Sequence, residues 1–445
     1  MPSGSDLAPR PRSNRRFFLL PISAAVALCM WFYGLRILVP YEIADSASHQ
    51  RPRGNLSDLY PRWLGARELW RHGRNPYSDA VTREIQAGYY GRVLDPKRPD
   101  DPGDQQGFAY PVYVTFLLLP TLGLPFPAVR LGFLVLLGLL TALSAVLWLR
   151  ALRWRLTRPD VFAVTVLTLG SFAAFQGIRL QQLSLVVEAL IAACAALLAS
   201  GELFAAGVVL ALATIKPQLV ALLAAFLLLW AVSAWRSRCT FVAGFGLTLA
   251  ALCLGAQWLL PGWVADFWHA IHRYQQYTGG RTRLDVLLGP MIGKAVALAA
   301  IVLLGFLCVR FRREAADKPA FCLAFAAILA VTLLVVPNFA PYNELLLLPA
   351  VLLLVREAIA PDRPAALRPL VVAAGFFIGW GWLATAGLTV ASLFLPATTV
   401  QRAWAIPLWS EFAIAPSVVL ALALLIYQAC KTNDARTLLH ESTNV

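Results

Sequence analysis

The chain has 445 residues, 59% hydrophobic and only 14% charged, with 38 Lys and Arg against 24 Asp and Glu for a net charge of +14. A soluble domain carries roughly 25% charged residues, and runs of about 20 apolar residues, each able to cross a ~30 Å hydrocarbon core as a helix, recur along the whole length. These features exclude a soluble globule, a disordered chain and a disulfide-stapled secreted domain, and sustained apolarity without period-two alternation excludes an outer-membrane barrel.

In chain order, residues 1–16 with Arg10, Arg12, Arg15 and Arg16 read as a basic cytoplasmic tail before an uncleaved first span at 17–40. Residues 41–109 form a long polar outer segment with balanced acids and bases. Within it, Pro61 to His72 reads as a short helix: Pro61 suits the first helical position, Trp63, Ala66, Leu69 and Trp70 form an apolar stripe, and Gly73 can end it. Two tryptophans on one face suggest a helix lying at the membrane surface, and Asn75-Pro76-Tyr77 reads as a turn. Residues 110–125 are read as a re-entrant or half-length helix opening a bundle that runs to 429, interrupted by a second outer loop at 261–289 and followed by a cytoplasmic tail at 430–445.

The apolar runs give about twelve crossings, an all-α polytopic membrane protein with both ends in the cytoplasm. The turns so placed inside hold Arg150, Arg153, Arg155 and Arg158; Arg236 and Arg238; Arg310, Arg312, Arg313 and Lys318; Arg356, Arg363 and Arg368; and Lys431 and Arg436. The short outer turns hold only Arg179, Lys216 and Arg402. The excess of positive charge therefore belongs to cytoplasmic loops and not to a nucleic-acid site. The seven cysteines have neither disulfide nor zinc spacing and read as small buried hydrophobes.

Coupled transport tends to leave acids and histidines inside spans. Here the interiors are nearly bare. Glu188 lies in an apolar run, as a paired core acid or a span edge, Lys216 and Glu344 lie near outer ends, and all five histidines are in loops. This favours chemistry at the outer membrane face over passage through it.

Ser57-Asp58-Leu59-Tyr60, the helix that follows and Arg74-Asn75-Pro76-Tyr77 resemble the D-x-x-x-Y…L-x-x-G-x-N-P-Y opening of the first outer loop in glycosyltransferase family 87. That family is a GT-C-type group of polyprenyl-phosphate-sugar-dependent membrane enzymes that includes phosphatidylinositol-mannoside mannosyltransferases. Phe108-Ala109-Tyr110-Pro111 with Leu119-Pro120 and Leu124-Pro125, Gly207 through Ile215-Lys216-Pro217-Gln218, and Pro337 with Pro341-Tyr342-Asn343 and Pro349 are similar to later segments of the family, in the same order. Val112 and Ala211 stand where the family has a proline and a glycine. Gln181-Gln182-Leu183-Ser184 stands for a G-Q-x-N element, and no histidine accompanies Tyr342.

The resemblance implies a GT-C-like bundle whose long first extracytoplasmic loop carries short interfacial helices. It also implies a general base at Asp58, a polyprenyl-phosphate hexose donor such as a mannose donor, a lipid or glycan acceptor, and inversion at the anomeric carbon. No metal or other cofactor is expected, since nucleotide sugars are not expected outside. From the residues alone, Asp58 reads first as a cap or packing residue at the start of the 61–72 helix. Lys216 fits a donor phosphate or snorkelling to headgroups. Arg179 with Gln181, Gln182 and Ser184 fits a polar pocket or an ordinary outer turn.

Tyr110, Tyr342, Asn75 and Tyr77 are further substrate-binding candidates. His269 and His272, at i, i+3 with Asp266 one turn earlier, fit an acceptor or metal contact or, more simply, a surface helix anchored by Trp263 and Trp268. Asp100-Asp101-Pro102-Gly103-Asp104 reads as a solvated turn. The competing functions are a secondary transporter or flippase of a lipid-linked or small polar substrate, and a non-catalytic envelope scaffold. The first predicts internal repeats around a mid-depth site.

Overall fold

The computed structural model describes residues 19–442 apart from 55, 56, 96, 99, 100, 338 and 360–366. The basic tail at 1–16, Asp100, Arg363 and the side chains of Arg436 and His440 lie outside the described residues. Every element among the described residues is helical.

Helix α1 (Leu19–Tyr33) runs through a π turn at Gly34–Leu38 into α2 (Val39–Ser48), 30 residues in all. At 1.5 Å per residue that is about 45 Å, longer than the hydrocarbon core, so its end projects into the polar layer. The helix thus continues past residue 40, where the sequence reading placed a loop. The π turn sits where Gly34 meets the ring of Phe175, 2.0 Å from where a Cβ would stand, and only glycine permits that approach.

Above the bundle lie α3 (Tyr60–His72) and α4 (Asp79–Tyr90). Gly73 ends α3 in the left-handed conformation, φ 62°, as expected of a glycine after a helix. The tryptophan face of α3 is turned onto protein and not onto lipid. Trp63 is buried against Phe126, with ring centroids 5.2 Å apart, and Trp70 donates to Thr115 Oγ1 at 3.0 Å. Helix α5 (Val114–Leu118) is far too short to cross, in keeping with a re-entrant segment.

The bundle follows with α6 (Phe126–Ala151), α7 (Arg158–Leu169), α8 (Phe172–Arg179), α9 (Ser184–Ser200), α10 (Leu203–Ala213), α11 (Pro217–Val232) and α12 (Trp235–Leu259). Outer helices α13 (Trp263–Thr278) and α14 (Arg283–Leu288) precede α15 (Pro290–Phe311), α16 (Pro319–Val335), a 3-10 segment Pro341–Leu347, α17 (Leu348–Ala358), α18 (Arg368–Ala391), α19 (Ala397–Arg402) and α20 (Glu411–Ser442).

Among the described residues six helices are long and apolar enough to cross a membrane, and α7 with α8, bent by 59°, makes a seventh if counted as one span. Helices α9, α10, α11 and α16 are apolar but shorter. The chain is a polytopic α-helical membrane protein. The long helices are fewer than the twelve expected crossings because several apolar runs are broken into short or bent helices. Close approach within the bundle is set by small residues: a Cβ at Gly207 or Gly244 would lie 2.2 Å from a carbonyl oxygen of the facing helix.

The basic turns gather at one end of α6 and the outer loops at the other. Arg153 pairs with Asp317 at 3.2 Å, and Arg356 donates to the Leu152 carbonyl at 3.1 Å. Arg238 is the latch of this end. Its guanidinium donates to the carbonyls of Trp230, Arg312, Arg313 and Glu314 at 2.7–3.1 Å and lies 3.9 Å from the Trp230 ring centre. It thereby closes the carbonyls beyond the C-terminus of α15. Arg238→Ala removes a charged donor shared by four carbonyls, of which those of Trp230, Arg312 and Glu314 keep a second donor from Ser233 or Trp230. It should cost about 1.5–3 kcal/mol, the range for a hydrogen bond to a charged group, seen as a lower thermal midpoint in detergent. An unchanged midpoint would show the latch to be dispensable.

Candidate active site

A cavity of about 230 Å³ opens at the end of the bundle opposite the basic turns, lined from the first loop by Asp58, Arg62, Asp104, Gln106 and Tyr110. Gln182 lines it from the α8–α9 turn, Lys216 from the α10–α11 turn, Tyr274 and Tyr277 from α13, and Tyr342 and Asn343 from the 3-10 segment. Five sequence-distant segments converge here.

Asp58 does not cap α3. Leu59 is the N-cap residue and no side chain caps that end. The backbone N–H of Asp58 instead donates to Leu180 O at 2.8 Å, and its own carbonyl accepts from Arg62 Nη1 at 2.8 Å. Its carboxylate Oδ2 accepts from Gln182 Nε2. The loop is therefore tied at backbone and side chain to the turn between α8 and α9.

That turn is held in an uncommon shape. Gln181 has φ 50°, and its side-chain amide donates to Ile178 O at 2.9 Å and Arg179 O at 2.7 Å. Left-handed backbone at a residue other than glycine is sparsely populated and collects at functional sites. Gln106, which lines the cavity, has φ 55°.

Lys216 is buried in the turn between α10 and α11, where its ammonium donates to Gln182 Oε1 at 3.1 Å and Ser184 Oγ at 2.5 Å. Ser184 in turn donates to Asn343 Oδ1 at 2.8 Å. The rings of Tyr110 and Tyr342 stand 5.7 and 5.2 Å from the ammonium. Burial, with the Arg62 charge nearby, pushes this lysine down to about 7, while Asp58 pulls the other way. Arg62 stacks 4.8 Å from the centre of the Tyr110 ring.

None of the ion pairs among the described residues uses either cation. Lys216 is held by neutral oxygens, and Arg62 donates to a backbone carbonyl. The cavity therefore holds two cations without a carboxylate at ion-pair distance, beside the carboxylates of Asp58 and Asp104.

Asp104 corrects the reading of 100–104 as a solvated turn. Both its carboxylate oxygens accept from Gln106, the backbone N and Nε2, each at 2.9 Å. Burial raises its pKa above the usual carboxylate range, against the pull of that hydrogen bond and of Arg62. Asp101 is held in a bidentate pair with Arg92.

Of the other candidates, Asn75, Tyr77 and Arg179 support the cavity without lining it. Asn75 closes its turn by accepting from Tyr77 N at 2.9 Å and donates to Asp266 at 2.8 Å. Tyr77 donates to Tyr110 O at 2.5 Å. Arg179 pairs with Glu42 of α2 at 3.1 Å, and Glu42 with Arg53 at 2.9 Å.

His269 is exposed on the outer surface of α13, away from the cavity. His272 lies on Trp268, whose carbonyl is 2.9 Å from Nδ1, so this part of α13 is the surface helix. Glu188 is buried near the start of α9, and among the described residues neither carboxylate oxygen has a hydrogen-bond partner, so it is not a paired acid. No three His, Cys, Asp or Glu side chains among the described residues come together as a metal would require.

Arg62, Asp104, Tyr274 and Tyr277 are cavity residues that sequence reasoning passed over. The signals were present: Arg62 occupies the fourth place after Asp58, where the resembled motif has tyrosine. Trp263, Phe267, Ala270, Tyr274 and Tyr277 recur at three- and four-residue spacing, a stripe that α13 turns inward.

In comparisons with known proteins, the model of glycosyltransferase family 87 matches residues 108–337, more than half of the chain. The matched stretch contains Tyr110, Gln182 and Lys216 and leaves out Asp58 and Tyr342. No curated protein and no solved structure matches.

Proposed function

The chain belongs to glycosyltransferase family 87, which makes it a membrane glycosyltransferase, and we propose that it transfers a hexose, mannose among the candidates, from a polyprenyl-phosphate sugar to a lipid or glycan acceptor. The reaction takes place at the outer leaflet of the plasma membrane, with the basic turns and both termini in the cytoplasm. The observation that carries this reading is one cavity holding two cations, Lys216 and Arg62, that are held only by neutral acceptors, beside two carboxylates, Asp58, with one oxygen free of any donor among the described residues, and Asp104, with both oxygens engaged by Gln106.

In the step proposed, an acceptor hydroxyl attacks the anomeric carbon as its proton passes to Asp58. The new C–O bond forms as the bond from the anomeric carbon to the phosphate oxygen breaks, inverting the centre. The donor phosphodiester leaves as a monoester with a second negative charge, and Lys216 and Arg62 are placed to take that developing charge. Tyr110 and Tyr342 line the path beside the ammonium.

The basic turns lie at the end of the bundle away from the cavity, which supports an outward-facing site. The test is to give membranes containing the protein a panel of radiolabelled polyprenyl-phosphate sugars. Label should move to a new lipid or glycan from at least one of them. Label that crosses vesicle membranes chemically unchanged, with no transfer from any donor, would instead support passage and overturn the proposal.

A further inference from the structure

A charged lysine has three N–H donors and no acceptor, so while Lys216 is protonated only the carbonyl end of the Gln182 amide can face it, in keeping with the 3.1 Å contact to Oε1. The NH₂ end is thereby turned to Asp58, where Nε2 donates to Oδ2. Among the described residues nothing donates to Oδ1 of Asp58. The amide is itself buried, and the left-handed turn at Gln181, pinned by that residue's own side chain, sets its direction. The same turn accepts the Asp58 N–H at Leu180.

We infer that Gln182 is the positioning residue of the base: its amide, oriented by Lys216, holds one oxygen of Asp58 and leaves the other oxygen to take the acceptor's proton. Gln182 is thus assigned to the base and not to the substrate. The inference rests on the reading of Asp58 as base.

The charged and titratable groups that otherwise face Asp58 are Arg62 of α3, Lys216, Asp104, Tyr89 and Tyr90 of α4, Tyr110, Tyr274 of α13 and Tyr342. All of them remain when Gln182 is changed. Removing a donor to the charged form favours the protonated one, so the acid limb of the pH–rate profile must move to higher pH.

In the label-transfer assay, Gln182→Leu should lower kcat about tenfold near neutral pH and move the acid limb up by about one pH unit, the effect expected for one hydrogen bond to a charged group. The donor KM should stay within about twofold. Gln182→Glu, similar in size, keeps an acceptor for Lys216 but sets oxygen against oxygen at Asp58, and should move the limb further. It carries the test alone if the leucine variant fails to accumulate in membranes. A wild-type pH profile in the accumulating variants, or a loss confined to donor KM, overturns the inference. If Asp58→Asn is itself active, the assignment of the base fails. If Asp58→Asn is inactive while the Gln182 variants keep the wild-type profile, only the positioning role fails.

Discussion

Asp58→Asn should leave a folded membrane protein that binds donor and transfers almost nothing. General-base action by a placed carboxylate contributes about 10²–10⁴-fold, and the asparagine amide cannot accept the hydroxyl proton. Folding should survive because the N–H of Asp58 bonds Leu180 and its carbonyl accepts from Arg62, both through backbone atoms the substitution keeps. Donor affinity should hold or tighten slightly, since a negative charge facing an anionic donor is gone while Lys216 and Arg62 remain.

Asp104 is the control. It shares the cavity, but both its oxygens are engaged by Gln106, so Asp104→Asn should cost far less than Asp58→Asn. The measurement is single-turnover transfer of label beside elution volume and thermal midpoint in detergent. Near-normal turnover in Asp58→Asn, with unchanged folding, removes Asp58 from the chemistry and leaves the cavity without a base.

How far the sequence led depends on the range of the interaction. Helix α3 was legible because its signals are local: Pro61 near its start, the stripe from Trp63 to Leu69, and Gly73 at its end. The partner of that stripe was not, because a tryptophan face suits lipid or protein equally, and only the tertiary contact with Phe126 decides. Lys216 was legible as an unusual charge at the end of an apolar run.

Asp104 was not, because Asp-Pro-Gly-Asp is locally a surface turn. Its burial comes from Gln106 and from Tyr274 and Tyr277 of α13, which joins the cavity more than a hundred and fifty residues later. Asn75 and Tyr77 show the converse. Their motif was visible, yet its physical content is a turn that fixes Tyr110 and α13 around the cavity. Gln181 gives that visibility a physical basis, since its φ of 50° is one that glycine adopts freely, and the resembled element has glycine there.

Lys216→Met should lower kcat/KM for the donor by about 10²–10³-fold, the cost of removing one preorganised donor to developing charge. The pH dependence of the wild type is sharper evidence than this amplitude. Burial holds the free enzyme's Lys216 down to about 7, so the ammonium is fully charged in mildly acidic solution and is lost as pH rises through neutrality. A bound phosphate favours the charged form and moves that loss upward.

Because kcat/KM reports the free enzyme and kcat the complex, kcat/KM should fall on the alkaline side while kcat stays flatter. Arg62 cannot supply this limb, since a guanidinium stays protonated throughout. Lys216→Arg should therefore lose the alkaline fall, whatever it loses in amplitude by disturbing Gln182 and Ser184. Arg62→Met should lower kcat/KM and keep the fall. A Lys216→Arg profile that still declines above neutral pH, or a Lys216→Met enzyme with near-normal kcat/KM, would assign the phosphate to Arg62 alone and leave Lys216 as the residue that orients the Gln182 amide.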